Sequence, residues 1–159
     1  MLLLDQDDAK LKVISHKDGA IRDTPDDDYE SYLKDLDETK LRFAKNIIPT
    51  KFVMRKLLPH KLSMKIKNSM LKFSDGEMQP QLGMINETVR CSLVGIEYPE
   101  DIPDHLKSKV LKYKRGSDGG ADPMLIQQLD NAGIVMELFT ARSNAMDASD
   151  SNLELDKKK

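Results

Sequence analysis

Residues 39–74 read TKLRFAKNIIPTKFVMRKLLPHKLSMKIKNSMLKFS, and the division of this stretch decides the fold. It holds ten Lys and Arg residues and no Asp or Glu. Leu41 and Phe43 alternate with Arg42 and Lys45, the period-two signature of a strand with one buried face. Asn46-Ile47-Ile48-Pro49-Thr50 bends the chain, because Pro49 has no amide for a ladder and restrains Ile48. Phe52 and Met54 then alternate with Val53 and Arg55, which predicts a second strand over 51–57 and a β-hairpin over 41–57. Pro59 suits the first turn of a helix, where a missing N–H costs nothing. Leu58, Leu62, Ile66, Met70 and Phe73 form that helix's apolar stripe, and Lys61, Lys65, Lys67, Asn68 and Lys72 cover the rest. Ser74-Asp75-Gly76 ends it, with Gly76 free to adopt the left-handed conformation.

Towards the N-terminus the charge reverses. Residues 1–38 carry twelve acids against five bases, a sum of −7. Residues 1–28 read as an acidic arm, within which Leu11, Val13 and Ile14 suit a short strand and Asp18-Gly19 a turn. Asp26-Asp27-Asp28 then favours the positive end of a following helix, DYESYLKDL, with Tyr29, Tyr32, Leu33 and Leu36 on one face.

Beyond the basic stretch, residues 75–159 carry fifteen acids against ten bases, giving −5. Leu82, Ile85, Val89, Leu93 and Ile96 recur at helical intervals, predicting a helix over 81–94 that Gly95 closes. Pro99 and Pro103 stiffen an extended connector, after which Asp104 caps a short helix through Leu106 to Leu111 or, as the alternative, VLKYK at 110–114 forms an edge strand. Arg115 to Ala121 is glycine-rich and reads as a flexible linker. Asp122-Pro123 then pairs a cap with a first-turn proline and opens another helix, which Gly133 either breaks or interrupts. From Asp147 the tail is polar and is expected to be disordered alone.

These assignments predict an α+β fold, with a small antiparallel sheet from 41–57 packed against three to four helices. Residues 11–22 or 109–114 can extend the sheet. The expected organisation is an arm over 1–28, one domain over 29–146 and a polar tail over 147–159. No apolar run approaches the roughly 20 residues that span a bilayer, so a soluble protein made in the cytoplasm is expected, with no membrane partner.

Little in the sequence points to chemistry. A single cysteine, Cys91, excludes an internal disulfide and a cysteine-cluster metal site, and its apolar neighbours make it a small buried residue. His16, His60 and His105 are too far apart in sequence to predict converging metal ligands. Asp26-Asp27-Asp28 lacks the alternating oxygens of a calcium loop, and GSDGG lacks the Lys-Ser/Thr ending of a phosphate cradle. No Gly-x-Ser-x-Gly or comparable nucleophile arrangement is present, so a non-enzymatic protein without cofactor or metal is expected. Nine methionines and no tryptophan favour adaptable contacts over a rigid pocket. The candidate partner-binding residues are therefore Arg42, Lys45, Lys51, Arg55, Lys56, Lys61, Lys65 and Lys67. Such a cluster fits contact with another protein or, as the alternative, a nucleic-acid backbone. Phe43, Phe52 and Phe73 are read as core residues and not as base-stacking platforms.

The pattern Leu36-Asp37…Leu41…Pro49-Thr50-x-Phe52-x-Met54-x-x-Leu57, a basic helix, then Arg90-Cys91-x-Leu93-Val94-Gly95-Ile96-Glu97 resembles small accessory proteins encoded among the head and tail genes of tailed bacteriophages. The resemblance covers residues 36–100 and extends to the helix from Pro123. It implies a structural or assembly role in a multi-copy complex, residence in the virion as a head or tail component, and no catalytic residues. A tail-assembly chaperone, absent from finished particles, is the alternative within that setting. The acidic arm and the lysine-ending tail lie outside the resemblance.

Overall fold

The computed structural model describes residues 10–72 and 79–157, with side chains described over 10–67 and 83–147. Three strands form one antiparallel sheet in the order β1 (Lys10–Ile14), β2 (Lys51–Arg55), β3 (Leu93–Glu97). Its helices are α1 (Asp26–Asp35), α2 (His60–Lys72), α3 (Gln79–Ser92), α4 (Pro123–Asn131) and α5 (Val135–Lys157). The fold class is α+β.

Register explains which side of the sheet is core. Leu11 lies opposite Met54 and Val13 opposite Phe52, while Ile96 and Leu93 lie opposite Phe52 and Met54 from the other edge. Because side chains alternate, all six project from one face, and all six are buried. Helix α1 supplies Tyr29, Tyr32 and Leu33 to this core, α4 supplies Leu125, Ile126 and Leu129, and α5 supplies Val135, Leu138 and Ala141. The other face carries Lys12, Val53 and Glu97, and Lys12 reaches over β2 to an ion pair with Glu97 at 3.0 Å. Between Val53 and Met54 the pairing with β3 shifts: Val53 faces Gly95, whereas Met54 faces Leu93, so Val94 is the extra residue of a β-bulge.

Several sequence expectations change here. Residues 41–45 are not a strand, and β2 takes its partners from β1 and β3 instead of a local hairpin. Leu41 is buried as expected, but Phe43 is 44% exposed and not a core residue. Helix α3 stops at Ser92, and Gly95 lies within β3 instead of closing the helix. Residues 10–28, read as an arm, contribute Leu11, Val13, Ile14, Ala20 and Ile21 to the core. Residues 110–114 form no strand; Arg115 and Ala121 make an isolated bridge. Helix α5 runs through Lys157, past the point where a disordered tail was expected to begin. The Ser74-Asp75-Gly76 terminator lies outside the described residues.

Gly133 decides how α4 meets α5. Its φ is +77°, and its N–H donates to the Asp130 carbonyl at 3.0 Å while Ile134 N–H reaches back to Leu129. A Cβ would meet only Lys17 Cε at 3.6 Å, so the requirement for glycine is conformational and not steric crowding. Gly133→Ala is expected to destabilise the fold by about 1–2 kcal/mol. A fall in the urea unfolding midpoint at unchanged slope checks it.

Candidate functional site

The eight basic candidates do not form one face. Lys51 pairs with Glu38 at 3.1 Å, and Lys65 with Asp118 at 2.6 Å. Arg55 turns inward: Nε donates to the Cys91 carbonyl at 3.0 Å and Nη2 to the Gly119 carbonyl at 3.1 Å. Lys56 is half-buried, and its carbonyl accepts from Arg142 Nη2 at 2.7 Å. Arg42, Lys45, Lys61 and Lys67 are exposed and make no ion pair among the described residues. Two of these cations stand on α2, and two on the loop between residues 41 and 50.

That loop is held in place although it has no regular structure. Arg42 N–H donates to Thr24 Oγ1 at 2.8 Å, and Ala44 N–H to the Ala20 carbonyl at 2.8 Å. Thr50 N–H donates to Asp18 Oδ2 at 2.7 Å. Asn46 takes a φ of +65°, a conformation its short polar side chain tolerates. With the backbone tied at both ends and near its middle, Phe43, Ile47 (48% exposed) and Ile48 (63% exposed) remain on the outside. Three large apolar side chains thus share seven residues, 42–48, with two cations that make no ion pair among the described residues. Leu57 and Met64 add exposed apolar surface near the start of α2.

Sequence reasoning named the cations but missed Ile47 and Ile48 as surface groups. Their signal was available: two β-branched residues inside a proline bend have no periodic partners to bury them. It also placed the glycine-rich segment 115–121 as a flexible linker, whereas four polar anchors secure it. Arg90 Nη2 lies 2.7 Å from Asp118 Oδ2, its Nη1 lies 2.9 Å from Oδ1, and it forks onto Glu87 at 2.6 and 2.9 Å. Lys65, Arg55 and the Gly120 N–H complete the set, the last donating to Asp118 Oδ1 at 3.0 Å. The contacts with Glu87 and then Asp118 hold the Arg90 guanidinium firmly charged. Hydrogen bonds from Arg90 and then Lys65 hold the Asp118 carboxyl well below the usual carboxylate range. Both carboxylates are committed as acceptors, which fits an anchor better than acid–base work.

The remaining candidates are also accounted for by local contacts. Burial, then the nearby Glu87, pushes the Cys91 thiol up to about 11, so it stays protonated near neutrality. The His16 ring stacks on Tyr29 at 4.6 Å, and its Nε2 lies 2.8 Å from the Thr24 carbonyl. A carbonyl only accepts, so Nε2 carries the proton in that contact. Ser15 Oγ instead donates to Glu137 at 2.6 Å, so serine and histidine are not joined as a nucleophile and base. Among the described residues no group of three or more His, Cys, Asp or Glu side chains is placed to hold a metal ion. No described helix is long and apolar enough to cross a membrane.

Compared with known proteins, the chain matches no protein-family model, no curated protein and no solved structure.

Proposed function

We propose that this chain is a non-enzymatic structural or accessory protein of a bacteriophage virion, a head or tail component acting through contacts with other assembly proteins. The observation that carries the contact role is the tethered loop, on which Phe43, Ile47 and Ile48 stand exposed alongside the exposed Arg42 and Lys45. Large apolar groups grouped on a surface, with a charged margin, favour burial against another protein. Three backbone hydrogen bonds already order the loop, which lowers the entropy lost when it docks. The phage setting rests on the sequence resemblance. Nucleic-acid binding through all eight bases is less well supported, because Lys51, Lys65 and Arg55 are occupied by partners within the fold.

The test is whether the chain co-purifies with intact particles in fixed stoichiometry, measured by quantitative mass spectrometry. Ile47→Asp/Ile48→Asp is expected to lower incorporation at least about tenfold while leaving the circular dichroism spectrum and unfolding midpoint unchanged. Absence of the wild-type chain from finished particles would remove the virion reading.

A further inference from the structure

Beside the apolar loop lies a surface of opposite charge. Asp23, just before Thr24, and Asp26 and Asp27, at the start of α1, are exposed, and the Thr24 hydroxyl accepts from Arg42 N–H. Asp23, Asp27, Arg42 and Lys45 make no side-chain hydrogen bond or ion pair among the described residues. Adjacent acidic and basic groups flanking Phe43, Ile47 and Ile48 give one patch with both halves of a charge-complementary contact.

We propose that this patch joins two copies of the chain about a two-fold axis, a partner assignment that rests on the assembly role proposed above. In an isologous pair the same patch meets itself, so each basic loop lies against the acidic helix start of the other copy. Phe43, Ile47 and Ile48 form the centre and exclude water from it, and the charges set the register at the rim. A partner bearing only acidic groups would leave Asp23, Asp26 and Asp27 facing like charge, whereas a second copy satisfies both signs.

Charge exchange between two variants tests this on the full-length chain. One variant carries Arg42→Glu and Lys45→Glu, and the other Asp23→Lys and Asp27→Lys. Each alone brings like charges together in both halves of the pair, so self-association measured by sedimentation should weaken about 100-fold. Mixed in equal amounts, every reversed group meets its opposite, and a heterodimer should form with close to wild-type strength. Ile48→Asp should weaken association in any background.

A wild-type chain that stays a single copy at every concentration would overturn the pairing, as would variants that fail to associate when mixed. If that single-copy chain still enters particles and Ile48→Asp prevents it, a different protein covers the patch and the assembly role stands. If the wild-type chain dimerises but never enters particles, the pairing stands and the assembly role falls.

Discussion

Replacing Arg90 with Met is expected to destabilise the fold by about 3–5 kcal/mol, the cost of removing one partner from a buried charge pair. The Arg90 side chain is 10% exposed and that of Asp118 13%, so water does little to compensate. Arg90 Nη1 also donates to the Ala121 carbonyl at 3.2 Å, and Ala121 N–H returns a bond to the Arg90 carbonyl at 2.8 Å. Losing the guanidinium therefore removes the side-chain bonds that hold Asp118 and the Ala121 carbonyl to α3 and leaves Glu87 without its fork. Gly120 lies so near that a Cβ there would stand 2.9 Å from Arg90 Nη1 and 3.2 Å from the Arg90 carbonyl oxygen. The segment is glycine-rich because backbone must approach the anchor closely. By contrast, Lys65→Met removes a 40% exposed partner and should cost only about 0.5–1 kcal/mol. Equal losses in the two variants, measured by urea unfolding, would refute the buried-anchor account.

Acid provides a second readout of the same anchor. Arg90 and then Lys65 depress the Asp118 carboxyl in the folded state, so the folded chain binds fewer protons than the unfolded one. The stabilisation is fully present above the unfolded Asp value of about 3.9 and is lost as pH falls below it towards the depressed folded value. Asp118→Asn should be less stable than wild type at pH 7 and lose less on going from about pH 5 to pH 3. Parallel curves for the two proteins would place the acid sensitivity elsewhere.

How much of this was legible beforehand depends on whether the signal was local. Tyr29, Tyr32 and Leu33 recur at helical spacing, and Asp122-Pro123 marks a start by its own chemistry; both helices are present. Asp122 accepts from Met124 N–H at 2.8 Å, as a cap should. The boundary between α3 and β3 was hidden because Leu93 and Ile96 continue the spacing of Val89 by coincidence. What separates them is tertiary: Leu93 and Ile96 gain a sheet partner in β2. The same reason removes the strand at 41–45. Alternation at Leu41 and Phe43 is real in the sequence, but β1 and β3 already occupy both edges of β2. The basic candidates divided similarly. Nothing near Lys65 in sequence announces Asp118, 53 residues away, yet that contact moves it from a partner-binding role to an internal one.

At the edge of the sheet, removing both hydroxyls of Tyr29 and Tyr32 is expected to cost about 2–4 kcal/mol, although neither ring leaves the core. Ile14 ends β1, and its amide donates to Tyr32 Oη at 3.0 Å while its carbonyl accepts from Tyr29 Oη at 2.8 Å. The two phenols thus occupy the backbone groups that an edge strand would otherwise leave open. Burial raises both phenols above the usual tyrosine value, Tyr32 to about 12 and Tyr29 further, with Glu137 adding to the rise at Tyr29. They are hydroxyls at every pH near neutrality and keep their hydrogen-bonding roles. Tyr32→Phe strands a buried N–H, whereas Tyr29→Phe strands a carbonyl oxygen, and a donor without an acceptor is the rarer and costlier defect. Hydrogen exchange separates the two: the Ile14 amide should lose protection in Tyr32→Phe and retain it in Tyr29→Phe, beyond what global stability explains. Both changes act on Ile14, so their energies should couple instead of adding. Strict additivity would mean that the phenols stabilise the rings' packing and leave the strand end to water.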